Sequence, residues 1–478
     1  MRALSRLSPT HWLTTKTVFS QAFALLLFAI QAPVLGPKAF GLMSIVMVFV
    51  GFCEYVPGEA AAEALISIRD VDDEHFHTMT AANVWLSVGI GVAVFVGAPR
   101  IAVWFAYPEL AVILRVMSVL PAISAFAAAP TAATKREMLF RPLAVRTIAS
   151  LVIGGLVGLV LTLGGAGVWA LVWQAITTRL VAAVVLWYTV PLKFGMRFSA
   201  RHFRELAQFA APTLASRVLT WSCNQIPRVM LGLYWGTTEL GLFSLASRLG
   251  DILMEVAVVP RYAVARVELR KFAADRSGLE AALRRTLTFL TVFCFPLCVG
   301  GAAIMPTLFH VWLDPRWFGA IVPAQCMLLT CIPLVTQYLS GATLLAMNRQ
   351  RSEAVLSVAQ TVTTLVAVIA CAPLGLLAAS AAIAARPLVL LPLAVRLMRR
   401  QCGIPAGAIL RPQWPALAAS LLMGAGVCVL RVALEPSVRA IVALPLLVLA
   451  GAAIYALLVK LTMPMVVARF ALRSPRGV

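Results

Sequence analysis

The sequence predicts an all-α polytopic membrane protein of about fourteen transmembrane helices, built as two pseudo-symmetric six-helix lobes and a C-terminal helix pair. Hydrophobic residues fill 61% of its 478 positions and charged residues only 12%. Apolar runs of ~20 residues, each able to cross ~30 Å of hydrocarbon, recur along almost the whole length. A β-barrel would show alternating segments of ~10 residues instead. Internal repetition is the second observation. Leu35-Gly36-Pro37-Lys38-Ala39-Phe40-Gly41-Leu42-Met43-Ser44-Ile45 returns as Trp235-Gly236-Thr237-Thr238-Glu239-Leu240-Gly241-Leu242-Phe243-Ser244-Leu245. Ala175-Ile176-Thr177-Thr178-Arg179 returns as Ala382-Ile383-Ala384-Ala385-Arg386. Duplicated halves within a membrane are a common transporter plan, with the substrate held between them.

The first element is read from a basic start and an apolar run ending near Leu35. This imitates a signal peptide, but the run is long and lacks a small-residue cleavage site, so it reads as a spanning helix. The first six spans fall at roughly 18–35, 40–62, 79–97, 110–129, 146–163 and 168–190. The next six fall at roughly 206–233, 240–259, 286–306, 321–347, 354–372 and 374–397, and a last pair at roughly 414–431 and 438–459. Gly164-Gly165-Ala166-Gly167 reads as a tight turn between the fifth and sixth spans. The repeat divides the chain into an N-terminal lobe at 1–195, a C-terminal lobe at 196–400, and an extra helix pair with a basic tail at 401–478.

Charge gives the topology. Basic residues gather in alternate inside segments, starting with Arg2, Arg6 and Lys16, then Lys135, Arg136, Arg141 and Arg146, then Lys193, Arg197, Arg201 and Arg204, then the cluster from Arg261 to Arg285. The intervening loops hold one or two, such as Lys38, Arg100 and Arg316. Basic side chains resist translocation, so both termini are expected in the cytoplasm. The acidic segment Arg69-Asp70-Val71-Asp72-Asp73-Glu74 does not alter this, because acidic residues count little in that rule. The net charge of +21 is spread between apolar spans without a stacking-aromatic stripe, which favours membrane orientation over a nucleic-acid partner. No metal or other cofactor is expected: the histidines, His75 and His77 among them, make no ligand spacing, and the cysteines suggest packing rather than disulfides or metal. Loops are short, so no soluble catalytic domain fits, and an enzyme is not expected.

An arginine near mid-membrane costs several kcal/mol unless it faces water, a partner or a ligand. Arg179 and Arg386 sit about halfway along their spans, roughly 16 Å from either end at 1.5 Å per residue. Two such cations facing a shared cavity would attract an anion, and guanidinium suits phosphate because it offers paired donors. A structural tie to a carbonyl or carboxylate would equally account for each. Arg217 and Arg228 share a face of the seventh helix, with the polar Asn224 and Gln225 between them. On the eighth helix Arg248, Asp251 and Glu255 share one face, where Arg248 can pair with Asp251. That stripe, with Glu54 at the inner end of the second helix, is a candidate for ion or proton coupling.

Several phrases resemble the bacterial oligosaccharide/polysaccharide flippases of the multidrug/oligosaccharidyl-lipid/polysaccharide exporter superfamily. They are Leu35-Gly36-Pro37-x-x-Phe40-Gly41-Leu42, Lys135-Arg136-Glu137-Met138-x-Phe140-Arg141, Gly165-Ala166-Gly167-Val168-Trp169-Ala170-Leu171, Arg204-Glu205-Leu206-x-x-Phe209-x-x-Pro212 and Gly241-Leu242-Phe243-Ser244-x-Ala246-x-Arg248-Leu249. The resemblance implies two six-helix lobes around a central cavity. It implies a polyprenyl-diphosphate-linked oligosaccharide moved from the cytoplasmic to the periplasmic leaflet of the bacterial inner membrane by alternating access. Membrane lipids, a polysaccharide polymerase and chain-length machinery would be its partners. Arg179, Arg217, Arg228 and Arg386 would be the cavity cations. The chain departs from the family where members often carry an Asp before the equivalent of Arg228, here Pro227, and an Arg near the end of the first helix, here Pro33. A drug antiporter of the same superfamily would favour acidic cavity residues, and a membrane polymerase or ligase would need a large outer loop. A scaffold in a secretion complex is the remaining alternative.

Overall fold

The computed structural model describes residues 9–67, 71–137, 139–190, 195–258, 262, 265, 268–272, 275–434 and 439–463. No strand occurs among the described residues. Among the described residues eleven helical segments are long and apolar enough to cross a membrane, and the chain is a multi-pass helical membrane protein. Helices suit that solvent because every backbone polar group must be satisfied within the segment. Contacts divide the chain into two compact units, Met1–Gly241 and Leu242–Val478.

The first unit holds α1 (Pro9–Ser67), α2 (Asp73–Trp104), α3 (Glu109–Met117), α4 (Leu120–Phe126), α5 (Ala128–Arg136), α6 (Phe140–Leu163), α7 (Val168–Thr189) and most of α8 (Ala200–Ala257). The first two expected spans are one continuous run, broken only at Gly36 (φ 72, ψ 170), and the seventh and eighth are one run broken only at Gly236 (φ 83, ψ −176). The expected turn between paired spans is thus a single residue, in the same conformation in both copies. A positive φ with extended ψ is open to glycine and strained for other residues. Each break releases the following amide from the helical ladder. In the first copy that residue is Pro37, which has no N–H. In the second it is Thr237, whose N–H donates to the Tyr107 hydroxyl at 3.1 Å.

The two glycine phrases also meet each other. A Cβ on Gly41 would stand 1.7 Å from the Thr237 carbonyl oxygen, and one on Gly241 would stand 2.0 Å from the Pro37 carbonyl oxygen. The contact is reciprocal, because positions 37 and 41 correspond to 237 and 241. Without a hydrophobic drive between helices in lipid, such small-residue contacts carry the packing. The same device joins α6 to α7. A Cβ on Gly158 would lie 2.1 Å from Gln174 Oε1, and Gln174 accepts from Gln31 Nε2 of α1 at 2.8 Å.

The fourth expected span is three short helices, α3 to α5. Pro121 stands in the first turn of α4, where its missing N–H costs nothing.

The second unit holds the end of α8, then α9 (Arg276–Trp312), α10 (Ile321–Ala346), α11 (Gln350–Cys371), α12 (Leu376–Cys402), α13 (Ala406–Leu410), α14 (Trp414–Leu434) and α15 (Ala440–Thr462). A 3-10 turn, Pro315–Ala320, reverses the chain between α9 and α10. Asp314 caps it by accepting from the Arg316 side chain and amide, which holds its carboxyl below the usual carboxylate range. Leu287, Phe295, Cys298, Val335, Leu339 and Met398 form the buried centre. The final pair packs on α9 through Val299, Ala303, Met423, Val427 and Leu447. Gly167 (φ 58) caps α7 and Gly375 (φ 95) caps α12, so Arg179 and Arg386 follow equivalent glycine starts.

Two expectations follow. Gly241→Ala should lower the thermal midpoint of the detergent-solubilised protein, by about 1–3 kcal/mol of overpacking against an immovable backbone, whereas Gly89→Ala, with nothing within 4 Å of its Cβ, should not. Tyr107→Phe should destabilise by about 1–3 kcal/mol by leaving the Thr237 amide unsatisfied; adding Thr237→Pro, which removes that donor, should restore most of the loss in the same thermal assay.

Candidate functional site

Glu54 lies on α1, Ser124 on α4, Arg146 on α6 and Arg179 on α7, and the fold brings all four together. Arg179 Nε donates to Glu54 Oε1 at 3.0 Å and Nη2 to Oε2 at 3.1 Å. This is the two-pronged geometry that a planar guanidinium matches to a carboxylate. Ser124 Oγ donates a third bond to Glu54 Oε1 at 2.6 Å. The pair is uneven in exposure: the Glu54 side chain is 13% exposed and that of Arg179 42%. The carboxylate is the buried anchor, and the guanidinium presents its remaining surface outward.

Further cations lie beyond Arg179. Arg146 lies close enough to Arg179 for their charges to interact, and its Nη1 donates to Thr131 Oγ1 on α5 at 3.1 Å. Lys16 at the start of α1 interacts in turn with Arg146 and with Lys135. Lys16, Arg146 and Arg179 thus form a run of interacting cations that ends on the Glu54 carboxylate. Such a cluster is suited to hold an anion bearing several oxygens.

In the second unit Arg386 occupies the equivalent place on α12 with different neighbours. Its Nη1 donates to Thr364 Oγ1 on α11 at 2.5 Å, and Tyr338 of α10 lies nearby. Its Nε is shut away from solvent without a hydrogen-bond partner. Among the described residues no carboxylate forms an ion pair with it. The position matching Glu54 at the repeat offset is Met254, a thioether.

The other candidates are placed as follows. Arg228 Nη1 donates to Gln225 Oε1 on its own helix at 3.0 Å. The Arg217 side chain lies outside the described residues. Arg248 and Asp251 are exposed and Glu255 is half-buried; Asp251 is within electrostatic range of Tyr338. The structure thus joins Glu54, a coupling candidate, to Arg179, a substrate candidate. Sequence reading counted Arg146, Lys16 and Lys135 as loop charges that set orientation. Ser124 and Thr364 carried no signal, because their roles arise from partners on other helices.

The link between Glu54 and Arg179 is measurable. In a double-mutant cycle, Glu54→Ala and Arg179→Ala should each destabilise, and together should cost less than their sum by about 1 kcal/mol, the size set by a half-exposed pair. Thermal unfolding of the four proteins checks it.

The family model described as "Polysaccharide biosynthesis protein" matches residues 30–322, well over half of the chain. The succinoglycan biosynthesis transport protein ExoT of Rhizobium meliloti (strain 1021) is 25% identical over 318 residues, 65% of this chain and 64% of that protein. The match therefore spans just under two thirds of that relative. Among solved structures, lipid II flippase MurJ in an inward closed conformation aligns with a TM-score of 0.78 at 13% identity, over 95% of this chain and 99% of that one. An inward-facing multidrug resistance MATE family transporter of the MOP superfamily aligns with a TM-score of 0.60 at 15% identity, over 80% of this chain and 94% of that one. At these identities the likeness is one of fold.

Proposed function

The chain belongs to the polysaccharide biosynthesis protein family, and from that premise we propose that it is a flippase for a lipid-linked oligosaccharide. Its substrate would be a polyprenyl-diphosphate-linked sugar unit, taken from the cytoplasmic to the periplasmic leaflet of the bacterial inner membrane by alternating access. The observation that carries this reading is the cation cluster around Glu54. Arg179 is fixed by its carboxylate and keeps nearly half its side chain exposed, with Arg146 near it and Lys16 near Arg146. Diphosphate offers the multiple acceptors and negative charge that such a preformed group selects. The relative ExoT, named for succinoglycan biosynthesis transport, supports a polysaccharide precursor over other anions.

Arg386 enters the reading as the second cation, held by Thr364 and lacking a carboxylate. Glu54 and the Arg248–Asp251–Glu255 stripe are assigned to ion or proton coupling by position. The reading places both termini in the cytoplasm, treats the protein as a transporter rather than an enzyme, and leaves the polymerase and chain-length machinery as partners after translocation. The MATE likeness is the basis of a second reading, a multidrug antiporter. The excess of cations over carboxylates around Glu54 favours the first, because cationic drugs would be repelled there.

The Arg179→Ala/Arg386→Ala double variant should insert at normal levels yet fail to restore polysaccharide export to a flippase-deficient strain. Full restoration would remove the anion-site reading. Raised drug resistance on expression of the unaltered protein, without restored export, would favour the antiporter.

A further inference from the structure

At the end of the first unit where α2 and α8 begin, a second polar cluster stands apart from the cations described above. Asp72 caps α2, its Oδ1 accepting from the His75 amide at 3.0 Å. His75 Nδ1 lies 2.7 Å from the same oxygen, and His75 Nε2 lies 3.2 Å from Glu205 Oε2 on α8. His202, also on α8, has Nδ1 2.8 Å from Ser199 Oγ and 3.6 Å from Glu74 Oε2, and Nε2 3.7 Å from Asp72 Oδ2. The two imidazoles meet edge to face with centroids 4.4 Å apart. Both are withdrawn from solvent, with side chains 5% and 14% exposed.

We propose that Asp72, His75 and His202 form a binding site for a divalent first-row cation of the zinc class, with Glu205 supporting His75 from its other ring nitrogen, and that the ion ties the first turn of α8 to the first turn of α2. The sequence supplies two polar pairs, Asp72-x-x-His75 and His202-x-x-Glu205, each on one face of a helical turn. Candidate ligand atoms of Asp72, His75 and His202 all lie within 4.8 Å of one another. Donors placed 2.0–2.1 Å from a tetrahedral ion stand about 3.3 Å apart, and the His75 Nδ1–Asp72 and His202 Nε2–Asp72 separations of 2.7 and 3.7 Å bracket that spacing.

Tautomers fit the same reading. Nε2–H of His75 donates to Glu205, and Nδ1–H of His202 donates to Ser199, so His75 keeps the lone pair of Nδ1 and His202 that of Nε2 for the ion. An acceptor on the far nitrogen is the usual outer support of a metal-bound histidine. Two imidazoles with carboxylates match zinc and its neighbours rather than magnesium or calcium, which take oxygen ligands. Glu74 adds negative charge, and Arg201 Nε, 3.5 Å from Glu205 Oε1, steadies the remaining carboxylate.

The test uses the full-length protein in detergent, stripped with a chelator and titrated with Zn2+ alone against a chromogenic chelator. One Zn2+ per chain with a Kd of about 1 μM or tighter, and a thermal midpoint that rises with Zn2+ but not Mg2+, are expected. His202→Ala should weaken Zn2+ binding about tenfold or more, while His310→Ala, in the second unit, should not change it. Because His75 also supports the α2 cap, His202→Gln serves as the milder companion and should lose affinity while keeping the metal-free midpoint. Absence of stoichiometric Zn2+, or binding that survives both His202 variants, overturns the proposal.

Discussion

Two helix backbones can touch only where no side chain stands between them, and α1 and α8 satisfy that condition twice. Gly41 faces the carbonyl of Thr237, and Gly241 faces the carbonyl of Pro37. In lipid, burial of apolar surface does not distinguish a helix neighbour from an acyl chain, so close packing must do that work. The glycine breaks at Gly36 and Gly236 set the course of each helix into this contact. The positions of Glu54 on α1 and Gln225 and Arg228 on α8 then follow from where those helices emerge.

Charge placement rests on that frame. Isolated ions in a membrane segment are expensive, and Glu54 removes most of that cost for Arg179 by accepting both of its prongs and the Ser124 hydroxyl. The exposed portion of Arg179 is therefore held in one orientation before any ligand arrives, which reduces the ordering that binding would require. Arg386 is treated differently. A neutral hydroxyl takes one nitrogen, another nitrogen is buried without an acceptor, and the charge itself is left to its surroundings.

Much of this was legible in the chain. Apolar length gave the class, and the glycine phrases gave the equivalence of residues 36 and 236, which share a backbone conformation. The Ala-Ile-x-x-Arg phrase gave Arg179 and Arg386 as a pair. What could not be read was the company each residue keeps. The partner of Arg179 is 125 positions away, and Arg146 and Lys16 looked like ordinary loop charges because orientation rules count cations without asking what they touch. The histidines failed the spacing test along the chain since His75 and His202 meet only after α2 and α8 are packed. The fourth span broke into α3, α4 and α5 where hydropathy alone reads one run.

The Thr237 amide and the Met254 thioether mark how far the two copies of the repeat have parted. A chain made by joining two copies of the first half would carry proline after both breaks, leaving the second without a donor for Tyr107 to accept. It would also carry a glutamate at both positions 54 and 254, so each mid-helix arginine would have its own counter-charge. The two halves share a backbone plan because the glycines admit no replacement, and they differ electrically because the side chains around them do. Charge therefore differs where the backbone plan is shared: one mid-helix arginine is tied to a carboxylate and the other to a hydroxyl.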